Sequence, residues 1–163
     1  MKKISVLIVA MMMFVGSIFA EDIVVFEPGV TPAKGGQLVE VNGETYFKIK
    51  CFGYDTSFKI PEVDLNGCTE FEASGYVEKE NLKYQVVFSI KDASWGDISN
   101  PTIKGLKVEK QTVTAEHEIQ QSWNKLSKTD IAAMIQPMVQ DAKEPFNPHN
   151  YTIYIGKIVA RKK

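Results

Sequence analysis

The chain has 163 residues and a formal net charge of −1, from 19 Lys and Arg against 20 Asp and Glu. This balance lacks the basic surplus that neutralises phosphates, which argues against nucleic acid as a partner. Two cysteines and two scattered histidines do not supply the clustered ligands of a zinc site, so no metal or cofactor is predicted.

The first twenty residues have the features of a secretory signal peptide. Two lysines precede an apolar run over residues 4–15, and Ala20 stands just before an acidic pair. The run is short for a membrane-spanning helix, so we expect cleavage after Ala20 and no stable span afterwards. The remaining 143 residues (163 − 20, from Glu21) are predicted to form one exported domain, periplasmic or secreted, with a charge of about −3.

Short strand-like segments fill the mature chain. Asn42-Gly43 separates QLVEV from ETYFKIKCF, and this dipeptide is preferred in two-residue hairpin turns because both positions need positive φ. On the second arm Phe47 and Ile49 alternate with Tyr46 and Lys48, which predicts one buried and one wet face. The other predicted strands are VVF, TSFKI, TEFEASGYV, KYQVVFSI, GLKVEK, QTVTAEHEI and NYTIYIGKIVA.

Strands at this spacing predict an all-β, antiparallel sandwich or barrel, and of these we expect the sandwich. One segment before the last strand, SKTDIAAMIQPMVQDAK (residues 127–143), instead has apolar residues at helical spacing: Ile131, Met134, Ile135, Met138 and Val139. Ser127 and Asp130 resemble a capping box at its start. We therefore predict a short helical segment here, kinked or divided at Pro137.

Catalysis has little support in the sequence. No GxSxG, HExxH, Walker or dinucleotide motif is present. Glu70 and Glu72 share a strand face, but acids on a solvated face explain them more simply than a glycosidase pair. We predict that the protein is not an enzyme.

Aromatic residues in polar loops provide the candidate binding site. Trp95 lies close to Asp97, Trp123 follows two glutamines, and Tyr54 and Asp55 lie in one loop. Sugar rings stack on such aromatic side chains while nearby polar groups bond their hydroxyls. The other reading, in which both tryptophans close the ends of the sandwich, stays open.

The hairpin QLVEVNGETYFKIK, the run FKIPEVDLNGCTEFEASGYV, the strand YQVVFSI with its DASW loop, and the final YTIYIGKIVA together resemble a jelly roll. More narrowly, their order is similar to carbohydrate-binding modules of the galactose-binding-domain type. The resemblance implies non-catalytic glycan binding through aromatics. It also implies a structural calcium held by Glu27 and an aspartate in the last strand, where this chain has Gly156 and Lys157.

The sequence also fits a second class of protein, because periplasmic or envelope structural proteins such as flagellar-sheath proteins also resemble these sandwiches. Such a protein would have an envelope protein rather than a glycan as its partner. A binding module needs aromatics exposed beside polar groups, whereas an assembly protein needs an exposed apolar patch or an open edge strand.

The two cysteines, Cys51 and Cys68, leave two alternatives. Export makes a disulfide chemically available, and sandwich strands can bring Cα atoms within the ~5.5 Å that a disulfide prefers. Two separately buried thiols fit the sequence equally well. Strand order decides between them.

Overall fold

The computed structural model describes residues 22–51, 57–65, 67–91, 96–116, 129–138 and 150–162. Within these ranges the chain forms eleven β-strands: β1 (Asp22–Phe26), β2 (Gln37–Val41), β3 (Glu44–Lys50), β4 (Ser57–Ile60), β5 (Cys68–Val77), β6 (Tyr84–Lys91), β7 (Asp97–Ser99), β8 (Thr102–Ile103), β9 (Gln111–Glu116), β10 (Thr129–Pro137) and β11 (Thr152–Lys162). None of the residues described belongs to a helix of the length and apolarity that crossing a membrane requires.

The strands form two antiparallel sheets. In the first sheet the order is β2-β3-β11-β5-β9, and β1 also pairs with β11. In the second sheet the order is β4-β10-β6-β7, and β8 also pairs with β6. Strands β3 and β1 therefore lie end to end along one side of β11, while β5 runs along its other side. This arrangement confirms the predicted all-β, jelly-roll-like sandwich.

The core lies between the two sheets and is built from every second residue of the strands that face it. Phe71, Ile153 and Ile155 from the first sheet are completely buried, as are Phe88 and Ile90 from the second. Such alternation places apolar side chains in the core and the intervening side chains on the outer face.

Three phenylalanines connect the sheets at one end of the core. The ring centroid of Phe26 lies 5.6 Å from that of Phe47 and 4.9 Å from that of Phe58, both in edge-on geometry. Because Phe58 belongs to β4 and the others to the first sheet, these contacts join the two layers.

The predicted hairpin between β2 and β3 is confirmed. Asn42 and Gly43 have φ values of 53° and 80°, and Val41 pairs directly with Glu44 across the turn. The turn therefore sets the register that places Tyr46 and Lys48 on the outer face of the sheet.

The helix prediction is wrong over Thr129–Pro137, which is strand β10. Eight of its residues pair with β6 and four pair with β4, so β10 satisfies backbone groups on both sides. The spacing of Ile131 and Ile135 fits either period, because both also lie on one face of a strand, whereas Met134 lies on the opposite face. Pairing with two neighbours decides in favour of the strand. Residues 127–128 and 139–143 of the predicted helix lie outside the described ranges.

The prediction of a strand at GLKVEK (residues 105–110) is also wrong. Only Leu106 makes a ladder contact there, an isolated bridge to Asn81. Gly105 has a φ of 79°, a left-handed conformation that interrupts an extended run.

Candidate functional site

Most of the predicted site residues lie outside the part of the chain that the structure describes. These are Trp95, Trp123, Tyr54 and Asp55. Asp97 begins β7, which pairs with β6, and only its backbone is described. These five residues stay predictions.

The two cysteines are separately buried thiols, the second of the alternatives that the sequence left open. The backbone amide of Cys51 donates a hydrogen bond of 2.9 Å to the carbonyl of Tyr151. Cys68 lies opposite Lys162 in the pairing of strands β5 and β11. Tyr151 directly precedes β11, and the eleven steps from it to Lys162 (162 − 151) span about 36 Å at ~3.3 Å per residue. That separation is far beyond disulfide reach. Burial raises the pKa of the Cys68 thiol, which keeps it protonated.

Three tyrosines converge on the outer face of the first sheet. Tyr154 of β11 is paired with Tyr76 of β5 on one side and with Lys48 of β3 on the other. Tyr46 lies two residues before Lys48, so its side chain points to the same face. We call Tyr46, Tyr76 and Tyr154 the tyrosine face.

The rings of the tyrosine face form one packed group. Those of Tyr76 and Tyr154 are stacked, with centroids 4.6 Å apart and planes only 2° from parallel. The Tyr46 ring is perpendicular to both, with its centroid 5.1 Å from that of Tyr76 and 6.5 Å from that of Tyr154. Tyr46 is buried and the other two are half-buried. Tyr46 therefore supports two rings whose remaining surface is open to solvent.

A charged network fixes the orientation of Tyr46. Its hydroxyl donates a hydrogen bond to Oε2 of Glu44, and Oε1 of Glu44 lies 2.8 Å from the ammonium of Lys110. The hydrogen bond from Lys110 lowers the pKa of Glu44, with a further contribution from the Tyr46 hydroxyl. Burial raises the pKa of Tyr46, and the Glu44 carboxylate adds to that shift. At neutral pH the network therefore joins a neutral phenol, a carboxylate and an ammonium.

A polar pocket of about 280 Å³ opens beside Tyr46, and we call it the central pocket. It lies where β1 ends and β3 begins, next to the irregularity in β11 between Ile155 and Ile158. A second ion pair crosses it, with Nζ of Lys157 at 2.9 Å from Oε2 of Glu27. The pocket is lined by Glu27, Pro28, Glu44, Thr45, Tyr46, Ser74, Lys110, Gly156 and Lys157.

The ion pair between Lys157 and Glu27 occupies the place where the family resemblance implies a structural calcium. Calcium needs six to eight oxygen ligands, and here the ammonium of Lys157 takes the cation position beside Glu27. In the described ranges no three Asp, Glu, His or Cys side chains are grouped so as to hold a metal ion. The residues present therefore do not fit calcium at this place.

The far end of the outer face is a cluster around Arg161. Its Nη1 donates to Glu70 at 3.0 Å and to Glu72 at 3.1 Å, and its Nε donates to Asp22 at 2.9 Å. These bonds, led by the one to Glu70, raise the pKa of the guanidinium. The cluster joins β1, β5 and β11 and carries more negative than positive charge.

The fold is of the carbohydrate-binding-module type. A mutant of a family 29 carbohydrate-binding module matches with a TM-score of 0.53 and 14% identity, over 87% of this chain and 92% of that one. A second family 29 mutant, solved with mannohexaose, matches with a TM-score of 0.51 and 14% identity, over 87% and 91%. A family 6 module gives 0.51 and 9%, over 88% and 94%.

At these identities the likeness shows a shared fold. No protein-family model matches the chain. No curated protein matches it either.

The tyrosine face was not identified from the sequence. The alternation of apolar and polar residues predicts Tyr46 on the solvent-facing side of its strand, and the same alternation predicts this side for Tyr76 and Tyr154. These residues are far apart in sequence, and only the order β3-β11-β5 makes them neighbours.

Proposed function

We propose that this protein binds a glycan on the tyrosine face and does not cleave it. The observation that carries the proposal is the convergence of Tyr46, Tyr76 and Tyr154 from three adjacent strands on the outer face of the first sheet, where the rings of Tyr76 and Tyr154 remain partly exposed. Sugar rings present an apolar face of C–H groups that packs against aromatic rings. Two mutants of one fold relative, a family 29 carbohydrate-binding module, were solved with mannohexaose and with cellulohexaose and support the same assignment.

The central pocket complements the rings chemically. A sugar hydroxyl both donates and accepts hydrogen bonds, and each ion pair of the pocket presents an acceptor beside a donor. Glu44 is paired with Lys110 and Glu27 with Lys157, so the charges within the pocket cancel. Uncharged hydroxyl groups are therefore the ligands that suit this part of the surface. Trp95, Trp123 and Tyr54 stay predicted as further glycan contacts.

Calorimetric titration of the mature chain with neutral and acidic oligosaccharides tests this proposal. We expect binding to at least one oligosaccharide and a loss of about tenfold or more in Tyr154→Ala or Tyr76→Ala, because each substitution removes stacking area at the centre of the site. Tyr154→Phe keeps the ring and should retain most of the affinity.

Leu82→Ala is the matched control, since Leu82 is 59% exposed and lies in the turn before β6. Thermal unfolding verifies that each variant is folded. Tyrosine variants that bind as the wild type does would contradict the proposal, and a loss confined to Trp95→Ala would assign binding to the loops. No binding to any oligosaccharide would favour the alternative of an envelope structural protein.

We also propose that the protein acts after export, in the periplasm or outside the cell. The charged start, apolar run and Ala20 of the first twenty residues support this. Mass spectrometry of the protein purified from its native cells should give Glu21 as the first residue. An intact Met1 on the functional protein would contradict it.

A further inference from the structure

The two ends of the tyrosine face differ in charge. Beyond Tyr154, on the side away from the central pocket, β3 carries Lys48 and Lys50 on its outer surface. Together with Gln37, Gly35 and Gly36 they line an open pocket of about 420 Å³. We call this set the lysine end.

The lysine end is continuous with the tyrosine face. Gln37, Lys48, Tyr154 and Tyr76 are paired in one row across four neighbouring strands. The Lys48 ammonium lies 5.8 Å from the centre of the Tyr154 ring, so one ligand can contact both. The wall of the pocket approaches β3 closely, since a Cβ on Gly36 would lie 2.6 Å from the carbonyl oxygen of Lys48.

Charge compensation separates this end from the rest of the outer face. Lys110 and Lys157 each pair with a glutamate, and Arg161 pairs with three carboxylates. Over the ranges that the structure describes, neither Lys48 nor Lys50 has a carboxylate within ion-pair distance, and the lining of their pocket contains no acid. Two cations thus stand beside an aromatic surface with room for a ligand group.

Protection of a sheet edge does not account for these lysines. Lysines often guard an exposed edge strand against pairing with another chain. Here β3 is an inner strand: Lys48 is paired with Gln37 of β2 on one side and with Tyr154 of β11 on the other, and Lys50 is paired with Thr152 of β11. Their position instead suits a negative group on a ligand that lies across Tyr154.

We infer that the glycan bound on the tyrosine face is anionic and that its acidic group, a carboxylate or a sulfate ester, lies at the lysine end. This inference rests on the proposed function and specifies its ligand class. The acidic cluster around Arg161 repels such a ligand at the opposite end, so the charge pattern also fixes the direction of the chain on the face.

The test compares matched oligosaccharides by calorimetry. The probes are uronic acid oligosaccharides of two linkages, α-1,4-galacturonate and β-1,4-mannuronate, each before and after reduction of its carboxyl groups to alcohols. A sulfated galactan oligosaccharide distinguishes sulfate from carboxylate. We expect at least one acidic form to bind about fivefold to tenfold more tightly than its neutral form, since two exposed charge pairs contribute this much.

The preference should shrink between about 0.1 M and about 1 M salt, as the screening length falls from ~10 Å to ~3 Å. The double variant Lys48→Gln/Lys50→Gln should lose the preference and keep the binding of the neutral form. The control Lys104→Gln/Lys162→Gln changes the net charge equally at two exposed positions away from the pocket and should behave as the wild type does.

Equal binding of acidic and neutral forms, with binding still dependent on Tyr154, would overturn this inference and leave the proposed function standing. A preference that survives in Lys48→Gln/Lys50→Gln would also overturn it. Binding of no acidic or neutral oligosaccharide would overturn both proposals.

Discussion

Ala133→Asp is expected to lower the free energy of unfolding by about 4 kcal/mol or more, because it buries a carboxylate in the core. Ala133 is completely buried on β10, opposite Phe88 of β6. In the amphipathic helix that the spacing predicted, Ile131 and Ile135 face the core and residue 133 faces solvent. The substitution therefore distinguishes the two structures, since a surface aspartate in a helix costs well under 1 kcal/mol.

Urea unfolding of residues 21–163 measures this effect, and Val108→Asp serves as its control. Val108 is 53% exposed, so aspartate there should change stability by about 0.5 kcal/mol at most. A melting temperature lowered by about 10 °C or more is expected for Ala133→Asp. If both variants unfold at the same urea concentration as the wild type, the strand assignment of β10 is wrong.

Gly75→Ala is expected to destabilise the sandwich by about 2–3 kcal/mol and to weaken the proposed glycan binding at the same time. A Cβ at this position would lie 2.6 Å from the carbonyl oxygen of Tyr154 and 3.1 Å from Cζ of Phe88. The first of these atoms belongs to the backbone and cannot rotate away, so β5 and β11 must separate locally. That separation shifts Tyr76 relative to Tyr154, which form the open part of the tyrosine face.

Gly43→Asn is the control for this glycine. A Cβ at Gly43 meets nothing within 4 Å, and asparagine tolerates its φ of 80° better than other side chains do. Chemical unfolding and oligosaccharide titration should both leave Gly43→Asn close to the wild type. A Gly75→Ala variant with wild-type stability would show that β5 and β11 accommodate the methyl group without separating.

The β2-β3 hairpin and β10 differ in how much of their conformation the local sequence determines. Asn42-Gly43 specifies its turn through backbone conformation, a property of the residues themselves, and the hairpin is found as predicted. Ile131 and Ile135 fit both the helical and the strand period, whereas Met134 fits only the helical one, so pairing with neighbouring strands and not spacing decides the conformation. The strands β4 and β6 supply the pairing that makes this segment β10.

The candidate site also depends on contacts between segments that are distant in sequence. A tryptophan among polar residues predicts an exposed ring, but Trp95 and Trp123 lie outside the described residues. The three residues of the tyrosine face occupy strand positions that the alternation of apolar and polar residues predicts only as solvent-facing. Their significance as a group comes from the order β3-β11-β5, which no local pattern encodes.

By itself, the sequence determined the all-β sandwich, the first hairpin and the inward and outward faces of most strands, because these follow from backbone preferences and a two-residue period. The tertiary structure decided which strands are adjacent. Adjacency placed Cys51 and Cys68 near opposite ends of β11, made Thr129–Pro137 a strand, and brought three tyrosines together beside Lys48. Contacts between distant segments depend on the packing of the whole core, and for this reason only the folded chain displays them.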